Sequence, residues 1–160
     1  MRVRGWLNDG SLRGSAFIRV QLQGADLIEA DLSFIDFHQA DLEFVDLSGA
    51  DLRGAKLTRA NLIGANMSEA DLTRANLYKT NLRACRNLTD DQLAKVKSLW
   101  GAIMPDGGTY DGRYNLAGDI ELARYRNVVK NDNQAMADFY GVSLDTYLRG
   151  QEERVAQVEA

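Results

Sequence analysis

The side chains able to do chemistry are 23 carboxylates, one histidine (His38) and one cysteine (Cys85). A metal site needs several such groups converging at fixed spacing, and His38 has no second histidine or companion cysteine to complete one. It reads as a solvated surface residue. Carboxylate pairs at glycosidase-like separations can be picked at many places, but they recur at a regular interval that a structural repeat explains without catalysis. Gly107, Gly108 and Gly112 lack the strand-loop-helix context and the lysine of a phosphate-binding loop. Ala137, Gly141, Val142, Ser143 and Tyr147 have the spacing of a helix-turn-helix. Asp138 and Asp145 lie where phosphate would be met, however, and only Arg149 opposes them. That segment reads instead as a glycine stop followed by a serine cap. No nucleophile, base and orienting group assemble, so the chain reads as a non-enzyme with no catalytic residue, cofactor or metal.

Most of the carboxylates belong to a five-residue period. Leu or a close relative stands at Leu7, Leu12, Phe17, Leu22, Leu27, Leu32, Phe37, Leu42 and onward without a gap to Leu77 and Leu82. Two residues before most of these is an alanine, as at Ala25, Ala30, Ala40, Ala50 and Ala60, with Asp or Asn between. On a helix, steps of about 100° would put successive leucines about 140° apart and leave no stripe. On a flat strand, an odd spacing would send them to alternate faces. Ala and Leu share an inner face only if the chain turns a corner in every unit, which makes a solenoid.

This Ala-Asp/Asn-Leu-x-x unit resembles the pentapeptide-repeat family, and the resemblance runs through sixteen consecutive units. It implies an all-β solenoid, a right-handed quadrilateral β-helix of about four coils with an α-helical C-terminal cap and tail. With twenty residues to a coil, Phe17 and Phe37 should stack, and Asp36 should lie beneath Lys56. Asp31, Asp51 and Asp71 should form a repulsive column unless backbone N–H groups or cations meet them. Gly5-Trp6-Leu7, Gly10-Ser11-Leu12 and Val20-Gln21-Leu22 depart from the pattern and suggest an irregular first coil, with Trp6 over its open end. The tail, in segments such as 110–116 and 137–143, resembles those of short cyanobacterial members.

A net charge of −4 and a pI near 5.0 argue against a general nucleic-acid or anionic-membrane binder. A lone cysteine permits no internal disulfide, and no apolar run reaches the length of a membrane span or signal core. A cytoplasmic chain without membrane insertion is therefore expected. No Lys or Arg occurs between Arg19 and Arg53, whereas cations prevail from Arg53 to Arg86.

Beyond Leu88 the period ends. Thr89-Asp90-Asp91-Gln92 is a capping box, and Leu93, Val96, Leu99 and Trp100 predict a helix lying over the last coil, closed by a turn at residues 104–108. Asp119, Asp132 and Ser143 are expected to cap three tail helices, and Gly141 to stop the second. The expected division is 1–88 β-helix, 89–104 cap and turn, and 105–160 tyrosine-rich tail. The functional expectation is a protein-protein interaction scaffold whose partner is another protein, with no direct nucleic-acid contact. The candidate surface comprises Asp26, Asp31, Asp41, Asp46, Asp51, Phe34, Phe44, Tyr110, Tyr114 and Tyr140. The alternative is a DNA-mimicking inhibitor of a type II topoisomerase such as DNA gyrase.

Overall fold

The computed structural model describes residues 7–158. Trp6, expected over the open end, lies outside the described residues. Parallel bridges join each residue of the ladder to the one twenty positions on, from Ala16–Asp36 and Gln21–Asp41 through Asn66–Arg86. Each turn thus has four five-residue sides. Gln21 lacks the repeat signature yet bridges in register, so the ladder already runs through the latter part of the segment expected to be irregular. Between turns, Leu32 N–H donates to Asp51 O and Asp51 N–H to Ala30 O, both at 2.9 Å.

Every corner has one chemistry. The Leu carbonyl accepts the N–H three residues on, as at Leu52–Ala55 (3.0 Å), and the residue two after Leu has positive φ. Type II turns require this geometry. The Asp or Asn before each Leu then accepts the backbone N–H two residues on: Asp46 from Ser48 (3.0 Å), Asp51 from Arg53 (3.0 Å), Asn76 from Tyr78 (3.1 Å). Only a short side chain with an acceptor oxygen closes that ring, which is why the position is Asp or Asn. Ala and Leu point inward and are buried from Ala30 to Leu82, with Ile35 and Val45 filling the small position in two units. The Phe17 and Phe37 rings meet at 5.9 Å.

The repulsive column is relieved as the sequence required. Arg53 bonds Asp51 at 2.5 Å and reaches Asp71 at 3.8 Å, and Lys56 lies 3.4 Å from Asp36. Asn61 and Asn66 donate their amides down the ladder to Asp41 and Asp46.

Two corners carry a glycine beneath a phenylalanine. Gly64 has φ +65°, and a Cβ there would sit 2.6 Å from the Phe44 ring. Gly64→Ala is expected to cost about 1 kcal/mol in left-handed backbone strain and to push the ring off the turn. In a Phe44→Ala background only the strain remains, so a double-mutant cycle by urea denaturation should show a non-zero coupling.

At the end of the ladder, α1 (Asp90–Leu93) opens with the expected box: Thr89 Oγ1 accepts Gln92 N–H at 3.3 Å and Gln92 Oε1 accepts Thr89 N–H at 2.8 Å. The helix expected through Trp100 stops at Leu93. Instead the chain rejoins the ladder, bridging Asn76–Ser98 and Asn81–Ile103, with Lys97 N–H donating to Ala75 O at 2.8 Å. The exposed edge of the last turn offers unpaired N–H and C=O groups, and pairing them satisfies more backbone than a further helical turn would. Val96, Leu99 and Ala102 are buried on the end of the inner column. The turn at 104–108 folds back through an antiparallel Ile103–Thr109 bridge.

The tail forms α2 (Ala117–Tyr125), α3 (Asn133–Tyr140) and α4 (Leu144–Val158). Asp132 accepts Ala135 N–H at 3.0 Å, Gly141 takes φ +72°, and Ser143 Oγ accepts Thr146 N–H at 3.1 Å, each as its residue type predicts. Asp119 is not a cap: Leu116 holds that place, and Asp119 is a buried member of α2.

Candidate interaction surfaces

The ladder distributes the acidic candidates over three sides of the rod. Asp41 lies on one, Asp26 and Asp46 on the next, Asp31 and Asp51 on a third. They form a belt, not a face. Their carboxylates close corners: Asp26, Asp31 and Asp41 accept the N–H groups of Ile28, Ser33 and Glu43. The Ser48 hydroxyl holds Asp46 below its ordinary value of 3.8, and the Arg53 guanidinium does the same for Asp51. A depressed folded-state value contributes stability that is full above the unfolded value and lost as pH falls through the folded one. Mild acid below about pH 4 is therefore expected to lower the melting temperature, and Ser48→Ala should reduce that loss.

Phe34 and Phe44 are 54% and 63% exposed, but ten residues of a twenty-residue turn separate them, so they occupy opposite sides. Each ring lies against the glycine of the next turn, and the Arg13 guanidinium stands 5.3 Å from the centre of Phe34.

Tyr110, Tyr114 and Tyr140 are buried, which removes them from the candidate surface. The inner column ends in Leu99 and Ala102, and an apolar end of that width needs bulky residues above it. Tyr110 and Tyr114 stack at 5.8 Å, and Tyr140 packs edge-on to Tyr110 at 5.6 Å. One hydroxyl ties the tail to the cap, Tyr114 donating to Asp90 at 2.5 Å, and the other braces the tail itself, Tyr110 accepting Tyr114 N–H at 2.9 Å. Burial raises all three phenol pKa values.

The structure assembles a group of residues that the sequence reading did not connect. Trp100 is held by its Nε1–H donating to Phe139 O at 2.8 Å and by Tyr78 stacked at 5.3 Å. The Arg126 guanidinium lies 4.5 Å from the indole centre and Lys79 Nζ lies 5.2 Å from it. Trp100, Lys79, Arg126 and Phe139 line an open groove of about 730 Å³, together with Thr109, Val129, Ala135 and Gly141. Asp138 stands on its rim and accepts from Gln134 Nε2 at 2.8 Å. Val129, in the groove lining, is 63% exposed, and close by in the chain Tyr125 is 86% exposed and Arg124 and Lys130 are exposed too. The one available sequence signal was the run Arg124-Tyr125-Arg126, where cations interleave with an aromatic. Such a groove can hold an anionic or apolar group, and it contains no nucleophile with a base. Among the described residues no cluster of His, Cys, Asp and Glu could hold a metal, and no helix is long and apolar enough to cross a membrane.

The family profile for pentapeptide repeats matches residues 15–54 and 50–86, with eight copies. Among solved structures, a pentapeptide repeat protein from Nostoc PCC 7120, alr5209, is 35% identical. The match covers 53% of this chain and 77% of that one, with a TM-score of 0.47. HetL, involved in heterocyst differentiation regulation in Nostoc sp. strain PCC 7120, is 30% identical over 61% of this chain and 62% of its own, with a TM-score of 0.35. Rfr23 from the cyanobacterium Cyanothece 51142 is 32% identical over 56% of each chain, with a TM-score of 0.32. No curated protein matches the chain.

Proposed function

The chain belongs to the pentapeptide-repeat family, whose fold is a right-handed quadrilateral β-helix, and from that premise we propose that it is a non-catalytic protein-interaction scaffold. On this reading, the described residues of the 1–88 division form a rigid rod of about four coils, 89–104 close its end, and those of the 105–160 division form a packed tail. The repeat positions are consumed by core and corners, so recognition falls to the side chains left over. The observation that supports the reading most is the cluster of exposed cations and aromatics around Trp100, since Arg, Tyr and Trp are the side chains that carry most binding energy at protein interfaces.

A cytoplasmic setting is part of the proposal. Cys85 donates to Leu62 O at 3.1 Å, and burial pushes its thiol up to about 12, which makes it a packing residue with little thiolate to react. Chemical cross-linking in lysate of the native host, read by mass spectrometry, tests the scaffold. A discrete protein partner is expected, and its absence from native-level lysate across several growth conditions would overturn the reading.

The second reading, a duplex-mimicking topoisomerase inhibitor, is favoured by the acidic belt and by the ionised state enforced on Asp46 and Asp51. A gyrase supercoiling assay separates the two. The scaffold reading expects no inhibition at large molar excess. Inhibition that disappears on Asp31→Lys, Asp41→Lys and Asp51→Lys would favour the mimic.

A further inference from the structure

We propose that the groove beside Trp100 binds a short acidic peptide segment of the partner, one carrying an apolar side chain among its carboxylates. The inference rests on the scaffold reading and gives its docking site a chemistry.

Two cations line the groove, Lys79 and Arg126, and Arg124 and Lys130 are exposed close to Arg126 in the chain. Among the described residues none of the four has a carboxylate within ion-pair distance. Elsewhere Arg53, Lys56, Arg113 and Arg149 each have one. Other described cations, such as Arg59, Arg83 and Lys95, also lack a pair, so what sets Lys79 and Arg126 apart is their place over one indole in a groove with a single carboxylate, Asp138. The cations are also placed: Arg126 and Lys79 both lie over the ring of one indole, which holds them beside an apolar floor. The floor is immobilised from below. Asp119 accepts Trp100 N–H at 3.1 Å, and Phe139 O holds the indole nitrogen. A preorganised floor lowers the ordering cost of binding.

The composition of the surroundings selects the ligand. Val129 adds exposed apolar surface to the groove, so a ligand that is charged throughout would leave it in water. Nucleic acid fits less well. A phosphate chain charged along its whole length would run beyond the two lining cations and meet Asp138 and the apolar Val129. A peptide can end its charge where the cations end. The groove is open to solvent and not enclosed, which admits an extended segment.

The test is selection from a random peptide library displayed on phage, run against the full chain and against Arg126→Glu, with selected peptides then measured by fluorescence anisotropy. Sequences rich in Asp and Glu with an interspersed Leu, Phe or Tyr are expected. Arg126→Glu should weaken them at least tenfold, and raising salt should weaken them further. Asp31→Lys with Asp51→Lys on the rod should leave them unchanged. Lys79→Glu and Val129→Ser, both at exposed positions of the groove lining, serve as second variants if Arg126→Glu lowers the melting temperature. Selection of non-acidic sequences, selection of none, or equal binding by all three groove variants overturns the proposal. So does tighter binding of a single-stranded oligonucleotide, or self-association through the groove. If lysate cross-linking yields a partner that the groove variants still capture, the scaffold stands and only this site falls.

Discussion

Asp119→Ala is expected to destabilise the chain by about 3 kcal/mol, because it removes the acceptor of three donors at once, two of them on the buried Ser98 and Leu99. The Asp119 carboxylate is fully buried and accepts Ser98 Oγ–H at 2.5 Å, Leu99 N–H at 3.3 Å and Trp100 N–H at 3.1 Å. These donors belong to the strand-like segment that rejoins the ladder, so one carboxylate joins the tail to the end of the rod. Asp119→Asn keeps one acceptor oxygen but turns an amide N–H toward a backbone N–H, and roughly half the loss is expected. Urea unfolding gives the magnitude. Hydrogen exchange at Leu99 and Trp100 gives the location, because both amides should open before the ladder does.

The same residue has a pH signature. Burial raises the Asp119 carboxyl above its ordinary 3.8, against the opposing pull of its three hydrogen bonds. The folded state then takes up its proton at higher pH than the unfolded state. Between the raised value and 3.8, stability from this group increases as pH falls, the reverse of Asp46 and Asp51. Subtracting the pH profile of Asp119→Ala from that of the wild-type chain should leave a rise on acidification above pH 3.8. A flat difference would mean that the carboxyl titrates normally and is not buried in solution.

Gly112→Ala is the second large effect, expected at about 2–4 kcal/mol from backbone strain and overpacking combined. Gly112 has φ +84°, and a Cβ there would overlap the Tyr140 ring, lying 2.7 Å from Cδ2 and Cζ. Unlike Phe44, which can swing into solvent, Tyr140 is 3% exposed and wedged among Tyr110, Phe139 and Tyr147. The overlap cannot be relieved by one rotation. A Tyr140→Leu background should recover part of the loss, measured by thermal and urea unfolding. Tyr140→Phe should be neutral or stabilising, because the hydroxyl is buried without a hydrogen-bond partner among the described residues. Loss of stability in that variant would reveal a partner for the hydroxyl.

The two glycine sites differ in how far the sequence alone exposes them. Gly64 sits in a repeat whose corner geometry is set within five residues, so its positive φ follows from the pattern. Gly112 lies in an irregular segment, and only the tertiary packing of Tyr140 makes it irreplaceable.

The same division holds for the whole chain. The five-residue period determined the inward residues, the corners and the twenty-residue register, because each is settled by neighbours within one unit or directly above it. Local bonding likewise determined the starts of α1, α3 and α4, since a cap and the N–H it accepts lie three residues apart. The tertiary structure alone decided what happens where the repeat stops. The helix expected beyond Leu93 gave way to the ladder because the last turn exposes an edge, a condition no local propensity records. Tyr110, Tyr114 and Tyr140, plausible surface residues by type, were drawn under by the open apolar end of the column. Lys79, Trp100 and Arg126 share no motif and meet only because the tail folds back on the rod. The acidic belt was legible as charge, but its wrapping over three sides depends on the register of the stack. Contacts between residues far apart in sequence carry no periodic signature, and the groove is built from such contacts.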